Sequence, residues 1–484
     1  MYNLSKKTKI ICTIGPASDN KETLKKLIAA GMCCMRINLS HGNHEEHLKK
    51  INLIREIEKE LKICVPIMLD TKGPEIRTHD FEGGSATILD KSIVRVSMKP
   101  ILGNAEKFSV TFPNLYDDMS VGNSIRLDDG KLELIIIEKD EENKELVCVA
   151  QNTHKIKDKR GVNVPGVHLS MPFISEKDKN DLIFGAENDV DVIAASFVRN
   201  ANDILEIKKI LADAGKPNIK ILAKIENQEA LKELDSIIEA ADALMVARGD
   251  LGVEVPAEDV PIIQRHLIQK CRAVGKPIVT ATQMLDSMVS NPNPTRAEVS
   301  DVATAVVEST DCVMLSGESA NGLYPVEAVS MQAKIAANME KYLNYEQLSR
   351  EAYETSLKNK NDAIANSIAN TALLIGAKLI VCFTETGRTA YRISKARPCC
   401  PIVCVTNNRK TANFSALYWG LYAKHINVPM MPDFIEEMEV IAITAALQEG
   451  ISAGSPIIVA GGTPTGSGNT NFMRIINVPE IKDI

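Results

Sequence analysis

Residues 220–250 read KILAKIENQEALKELDSIIEAADALMVARGD. Residues 220–227 form a short apolar run, 227–240 carry apolar residues at helical spacing, and 243–250 form a second short apolar run. Strand, amphipathic crossover and strand is the pattern of parallel strands joined by a helix. The alternation continues in both directions. Candidate strands lie upstream at 9–15 (KIICTIG), 33–40 (CCMRINLS), 65–72 (VPIMLDTK) and 191–197 (DVIAASF), and downstream at 277–283 (PIVTATQ) and 312–318 (CVMLSGE). Helical patterns at 20–30, 43–61, 202–214, 227–240, 257–275, 296–309 and 325–341 separate or follow them. Eight strands with this rhythm predict an α/β fold, a (β/α)8 TIM barrel.

One interval breaks the rhythm. From about Gly73 to Met171 the text turns to short alternating strands (SIVRV, KFSVTF, NSIRL, KLELIII, KELVCVA) with Gly turns, which predicts a small all-β domain inserted in a barrel loop. After a polar helical stretch from Asn344, the runs LIVCFT, PIVCVT, LYAKHI, PIIVAGG and MRIINV predict a C-terminal α/β domain. The expected segments are 1–73 and 171–345 for the barrel, 74–170 for the insert and 346–484 for the last domain. A chain of 484 residues suits that organisation.

Composition narrows the function. Hydrophobic residues make up 45% and charged residues 25%, which fits a globular protein. With 56 Lys and Arg against 63 Asp and Glu, the net charge of -7 provides no general field for nucleic acid or anionic lipid, so any anion site is local. The 11 cysteines show neither CxxC pairs nor framework spacing and read as reduced thiols. No run approaches the roughly 18 apolar residues of a membrane span. The reading is a cytoplasmic protein without membrane or nucleic-acid partners.

Reactive groups of such barrels gather at the C-terminal strand ends. Arg36, Asn38 and Ser40 share one face of the second strand and offer a cation and two oxygen donors; the bland alternative is a polar strand end capping the next helix. His41, His44 and His47 recur at i, i+3 without an HExxH order, and only His41 stands near a strand end. The third strand ends in LDTKGPEIR, with Asp70 and Thr71 as hard oxygen donors and Arg77 beyond the turn. Lys224 and Glu226 share a face of the fifth strand. That pair suits a buried salt bridge, Schiff-base chemistry or phosphoryl transfer. Asp250, between Gly249 and Gly252, adds a second acid, and two carboxylates with waters suit Mg²⁺. Thr280 and Thr282, and Ser316 and Glu318, close the ring and offer hydroxyls for proton relay.

The motifs RINLSHG, LDTKGPEIR, KIEN, MVARGDLG, ATQML, NPTRAEVSDVA and LSGES, in this order, resemble those of the pyruvate kinases, from about Lys9 to the C-terminus. The resemblance implies phosphoryl transfer from phosphoenolpyruvate to ADP, giving pyruvate and ATP, at the end of glycolysis. It implies that Arg36 binds the phosphoryl group, that Lys224 stabilises its charge in flight, and that Glu226 and Asp250 ligate Mg²⁺ (or Mn²⁺). The Gly249 and Asp250 N–H groups with Thr282 would hold the substrate carboxylate; Asn38, Ser40, Asp70 and Thr71 would bind K⁺. Glu75, where some relatives have Lys, goes with K⁺ dependence. ADP would meet Asn38, Leu39, Ser40, His41, Arg77 and, under a closing β-domain lid, Arg160, where Lys is usual. Thr282, or Ser316 through water, would protonate the enolate. In the last domain Thr384, Thr386, Gly387, Arg388 and Thr389, with GGTPTGSGNTN near the end, resemble an effector loop for a phosphorylated allosteric ligand. Glu385 argues against fructose 1,6-bisphosphate, because a carboxylate repels a second phosphate. A homotetramer is the family's common assembly. A metal- or Schiff-base-dependent lyase of a pyruvate-like substrate would use the same barrel carboxylates and Lys224, but has no need of a nucleotide lid. A silent metabolite sensor would have shed Lys224 or Asp250.

Overall fold

The computed structural model describes residue 4 and residues 6–427, 435–462 and 470–480. Eight parallel strands close into a barrel in sequence order: β1 (Lys9–Thr13), β2 (Met32–Asn38), β3 (Ile67–Asp70), β4 (Val192–Ala195), β5 (Lys220–Ile225), β6 (Ala243–Ala247), β7 (Ile278–Ala281) and β8 (Cys312–Leu315), with β8 returning to β1.

The period of two sorts each strand into two columns. Ile10, Met35, Ile37, Leu69, Ile193, Ile221 and Leu244 point outward and pack under the helices. Ile11, Cys34, Met68, Ala194, Leu222 and Met245 point inward and fill the barrel. Each is fully buried, which stabilises the fold by about 1.5–3 kcal/mol per large side chain. Following the inward column toward the C-terminal ends leads from Cys34 to Arg36, from Met68 to Asp70, from Ala194 to Ser196 and from Leu222 to Lys224. The same alternation that builds the core thus delivers a polar top layer.

Helices start where the sequence supplies caps. Asn20, Asn43 and Asn227 accept bonds from the first turn, and Ser175 and Thr295 form capping boxes with Asp178 and Glu298. The helix Val260–Val274 stops at Gly275, whose φ of 74° is left-handed.

Three expectations are corrected. The sixth and eighth strands end at Ala247 and Leu315, so Asp250 and Glu318 stand in the short helices Arg248–Glu254 and Gly317–Ala320. Thr282, with φ 71°, has left β7 and does not share a strand face with Thr280, which is buried against the Thr310 hydroxyl. The expected helix 227–240 is two helices, Gln228–Lys232 and Leu234–Ala240. A helix at Glu176–Glu187, which lacks a clear apolar stripe in the sequence, precedes β4.

Between β3 and β4 the chain builds a seven-stranded sheet and a two-stranded ribbon around their own core, including Phe81, Phe108, Leu134 and Ile156. β3 and β4 nonetheless pair directly, Met68 beside Val192. The chain leaves the barrel and returns to the same place. The C-terminal domain is a five-stranded sheet, four strands parallel and the last, Thr470–Asn477, antiparallel. It is fastened below the barrel by a buried pair, Arg397 Nη1 to Asp311 Oδ1 at 2.9 Å, with Asp311 also accepting from the Trp419 N–H.

Candidate active site

The top layer of the barrel is one connected network. Arg36 donates from Nε to Asp70 Oδ2 at 2.7 Å and from Nη1 to the Thr13 hydroxyl at 2.7 Å. Lys224 Nζ lies 3.2 Å from Asp70 Oδ1, 2.8 Å from Ser196 Oγ and 2.8 Å from Glu226 Oε1. Ser196 Oγ also bonds Asp70 Oδ1 at 3.1 Å and the Thr71 carbonyl at 2.7 Å. All of these groups are buried.

Burial would lower the Lys224 pKa, but the Asp70 and Glu226 carboxylates outweigh it and raise it, so the ammonium stays charged. Burial would raise Asp70, but Arg36 and then Lys224 hold it below the usual carboxylate range. Glu226 goes the other way: burial pushes it up to about 7 despite Lys224, and the nearby Asp250 charge adds to the rise. Burial raises Asp250 as well, and its carboxyl reaches that of Glu226. Two acids in a dry site disfavour their own ionisation. A divalent cation between them would restore both charges.

The donor set fits such an ion. Glu226 Oε2 accepts the Phe197 N–H at 2.6 Å, while Oε1, beside the ammonium, receives no directed hydrogen bond. Among the described residues no cluster of three or more His, Cys, Asp or Glu is arranged to hold a metal. A carboxylate pair leaves coordination positions for water and substrate oxygens, the habit of Mg²⁺.

On the far rim, Gly249 N donates to Thr282 Oγ1 at 2.8 Å, and that hydroxyl donates to the Ala281 carbonyl at 2.6 Å. Arg248 braces this turn with two bonds to Asp301, at 2.6 and 2.7 Å, and one to the Thr282 carbonyl at 2.8 Å. Ser316 is half-buried; its N–H and that of Leu285 bind the Glu318 carboxylate, so Glu318 holds two loops and does not face the mouth.

Asn38 and Thr71 stand beside Asp70 at the ends of β2 and β3, and Ser40 is exposed just beyond, its N–H bonded to Asn38 Oδ1 at 3.1 Å. Leu39 is buried and His41 exposed next to them. His44 binds Asp181 at 2.6 Å and stacks on Phe184, and His47, one turn on in the helix His44–Leu61, is buried.

Between mouth and β-domain opens a cleft of about 480 Å³ lined by Arg77, Arg160, His168, Lys232 and Asp250 among others. Arg77 is held by Glu75 (Nε to Oε2, 2.9 Å) and by the Lys159 carbonyl. Arg160 approaches Asp128 at 3.7 Å, and its buried Nε has no partner.

In the last domain Thr384 Oγ1 accepts the Gly387 N–H at 3.0 Å. Gly387 has φ 82°, and a Cβ there would run into Tyr391, so only glycine fits. Thr386 and Arg388 are exposed and Thr389 is buried. Most of the partner stretch GGTPTGSGNTN, residues 463–469, lies outside the described residues.

The sequence reading passed over Thr13, Ser196 and Arg248. Ser196 continues the inward column of β4 by one step, a signal that parity alone carried. Arg248 and Asp301 are joined only by folding.

Family models match almost the whole chain: one described as pyruvate kinase, barrel domain, over residues 5–329, and one described as pyruvate kinase, alpha/beta domain, over 362–476. A curated pyruvate kinase of Geobacillus stearothermophilus is 48% identical over 477 residues, 98% of this chain and 80% of that protein. One of Staphylococcus haemolyticus is 48% identical over 475 residues, 97% of this chain and 80% of its own length. A crystal structure of a pyruvate kinase from Cryptosporidium parvum superposes with a TM-score of 0.91 at 37% identity, covering 98% of this chain and 97% of that one.

Proposed function

We infer the working parts of the mouth from one premise: the chain belongs to the pyruvate kinase family. It is a phosphotransferase that moves the phosphoryl group of phosphoenolpyruvate to ADP, giving pyruvate and ATP in glycolysis. The assignment of roles rests on one observation above all, the buried Lys224 ammonium set among Asp70, Ser196 and Glu226.

Phosphoryl transfer asks little covalent chemistry of a protein; it asks for placement and for charge where charge develops. Arg36, oriented by Asp70 and Thr13, presents its remaining N–H groups to the phosphoryl oxygens, and Lys224 meets them in flight. Glu226 and Asp250 would hold Mg²⁺ or Mn²⁺, which supplies Lewis-acid neutralisation of the transferring group. The Gly249 and Asp250 N–H groups and the Thr282 hydroxyl bind the substrate carboxylate once the Gly249–Thr282 bond opens. Asn38, Ser40, Asp70 and Thr71 provide the oxygens for K⁺ beside Arg36.

The β-domain covers the cleft and excludes water, which would otherwise take the phosphoryl group. ADP lies there against Arg77, Arg160 and the segment 38–41, which requires Arg77 to loosen from Glu75. Thr282, or Ser316 through water, protonates the enolate. The turn 384–389 takes a phosphorylated effector, and the protein works as a cytoplasmic homotetramer.

The test is pyruvate and ATP formation from phosphoenolpyruvate and ADP with Mg²⁺, run in K⁺ and in an inert organic cation. Turnover in both at equal rates would remove the K⁺ assignment.

A further inference from the structure

The two carboxylates assigned to the divalent metal sit at the starts of two short helices. Glu226 lies two residues before Gln228–Lys232, and Asp250 is in the first turn of Arg248–Glu254. The last carbonyls of a helix find no partner inside it. In Arg248–Glu254 two of them are satisfied from outside. Arg126 of the β-domain donates from Nη1 to the Val253 carbonyl at 2.5 Å, and Gln228, from the neighbouring helix, donates from Nε2 to the Glu254 carbonyl at 2.6 Å. Arg126 is itself steered by Glu133 across its hairpin, Nε to Oε1 at 3.2 Å. A guanidinium at this end also opposes the negative pole of the helix.

Further contacts are made at the same end. Asn163 of the β-domain donates to Glu254 Oε1 at 3.4 Å, and Gly130 lies so close that an added Cβ would touch Val253 at 3.5 Å. The β-domain therefore grips the tail of the helix whose head carries Asp250. Through Gln228 the grip extends to the helix that follows Glu226. Arg126 itself does not line the cleft, although Asn163 and Gln228 do.

We propose that Arg126 is a positioning residue: by capping Arg248–Glu254 from the β-domain it makes the placement of Asp250 depend on the seated lid, so that the divalent-metal site is completed when the lid lies on the mouth. The proposal rests on the reading of Glu226 and Asp250 as the metal carboxylates. A lid that merely shielded the cleft would leave the metal site indifferent to Arg126.

The experiment is a titration of the full-length protein with Mn²⁺ alone, followed by electron paramagnetic resonance of the free ion, for wild type, Arg126→Ala, Arg126→Lys and Asp250→Asn. Arg126→Ala is expected to weaken Mn²⁺ binding about fivefold, the equivalent of one net hydrogen bond. It should also raise the Mg²⁺ concentration needed for half-maximal turnover, while KM for phosphoenolpyruvate at saturating Mg²⁺ changes less than twofold. Arg126→Lys, which keeps one donor and the charge, should recover most of the binding. Wild-type Mn²⁺ binding in Arg126→Ala would overturn the proposal, as would equal losses in the Ala and Lys variants. Gln228→Met, which uncaps the same helix from the barrel side, repeats the test should Arg126→Ala not fold, and wild-type binding there would also count against it. Asp250→Asn separates the two levels: unchanged binding there sinks the metal assignment itself, whereas a loss there with none in Arg126→Ala sinks only the positioning role.

Discussion

Replacing Lys224 by Met removes one charge and leaves the shape of the side chain nearly intact. The ammonium has three partners within 3.2 Å, two of them carboxylates. At an effective dielectric constant of 20, each carboxylate contact is worth about 5 kcal/mol of attraction, much of it offset by the cost of drying the charges. Breaking a buried pair costs about 3–5 kcal/mol. Here the loss falls at the low end, about 3 kcal/mol, because Asp70 keeps Arg36 and Glu226 takes up a proton near neutral pH. Catalysis suffers more. A preorganised charge aimed at the transition state contributes about 4 kcal/mol, so kcat should fall about a thousandfold. The assay follows pyruvate with a coupled reductase at saturating phosphoenolpyruvate, ADP, Mg²⁺ and K⁺, and urea unfolding of the same preparation reports the stability change. KM for phosphoenolpyruvate should move less than kcat, because the substitution leaves Arg36, the proposed phosphoryl-binding group, with its bonds to Asp70 and Thr13. A variant that is folded and keeps more than a tenth of wild-type kcat would refute the reasoning.

Further outcomes are expected. Burial raises the Glu254 carboxyl from 4.5 to about 7, so its unfavourable ionisation leaves stability intact below pH 4.5 and erodes it as pH rises toward 7, by about 3 kcal/mol in all. Glu254→Gln should therefore melt higher than wild type at pH 8 and equally at pH 4, and a variant less stable at both would contradict this. Glu75→Lys puts a fixed positive charge on the cleft at the position the resemblance links to K⁺ dependence and should make turnover independent of K⁺; a variant whose rate still rises with K⁺ would count against the site. Arg36→Lys keeps the charge but loses the fork that binds Asp70 and Thr13 together, and KM for phosphoenolpyruvate should rise about tenfold. An unchanged KM would show that the guanidinium geometry is immaterial.

Much of this mouth was legible because a strand's period of two needs no tertiary information. Arg36, Asp70 and Lys224 each continue an inward column whose lower members are apolar, and the sequence displays both. Strand ends were less legible. The apolar text runs on into ARGD and LSGE, yet the chain coils after Ala247 and after Leu315, so Asp250 stands in a helix instead of a strand and Glu318 does not share a strand face with Ser316. Side chains that work through distant partners left no local mark. Arg248 gains its meaning from Asp301, 53 residues on, and Ser196 is one hydroxyl among many until Asp70 and Lys224 close around it. The all-β insert was plain from its alternation, but nothing in the sequence announced that Arg126 would cap a helix of the other domain.

The pairing of β3 with β4 across the insert bears on how the chain folds. Two strands that must meet are separated by about 120 residues, a loop whose closure as a random coil costs entropy that grows with the logarithm of its length. The insert has its own core, and after it the helix Glu176–Glu187 leads the chain back to β4, where Val192 pairs with Met68 and Ala194 with Asp70. Once folded, it is a short bridge instead of a long loop. The β-domain is thus expected to acquire protected amides before the barrel closes, and the lid would serve the enzyme first as a folding scaffold and only later as a cover.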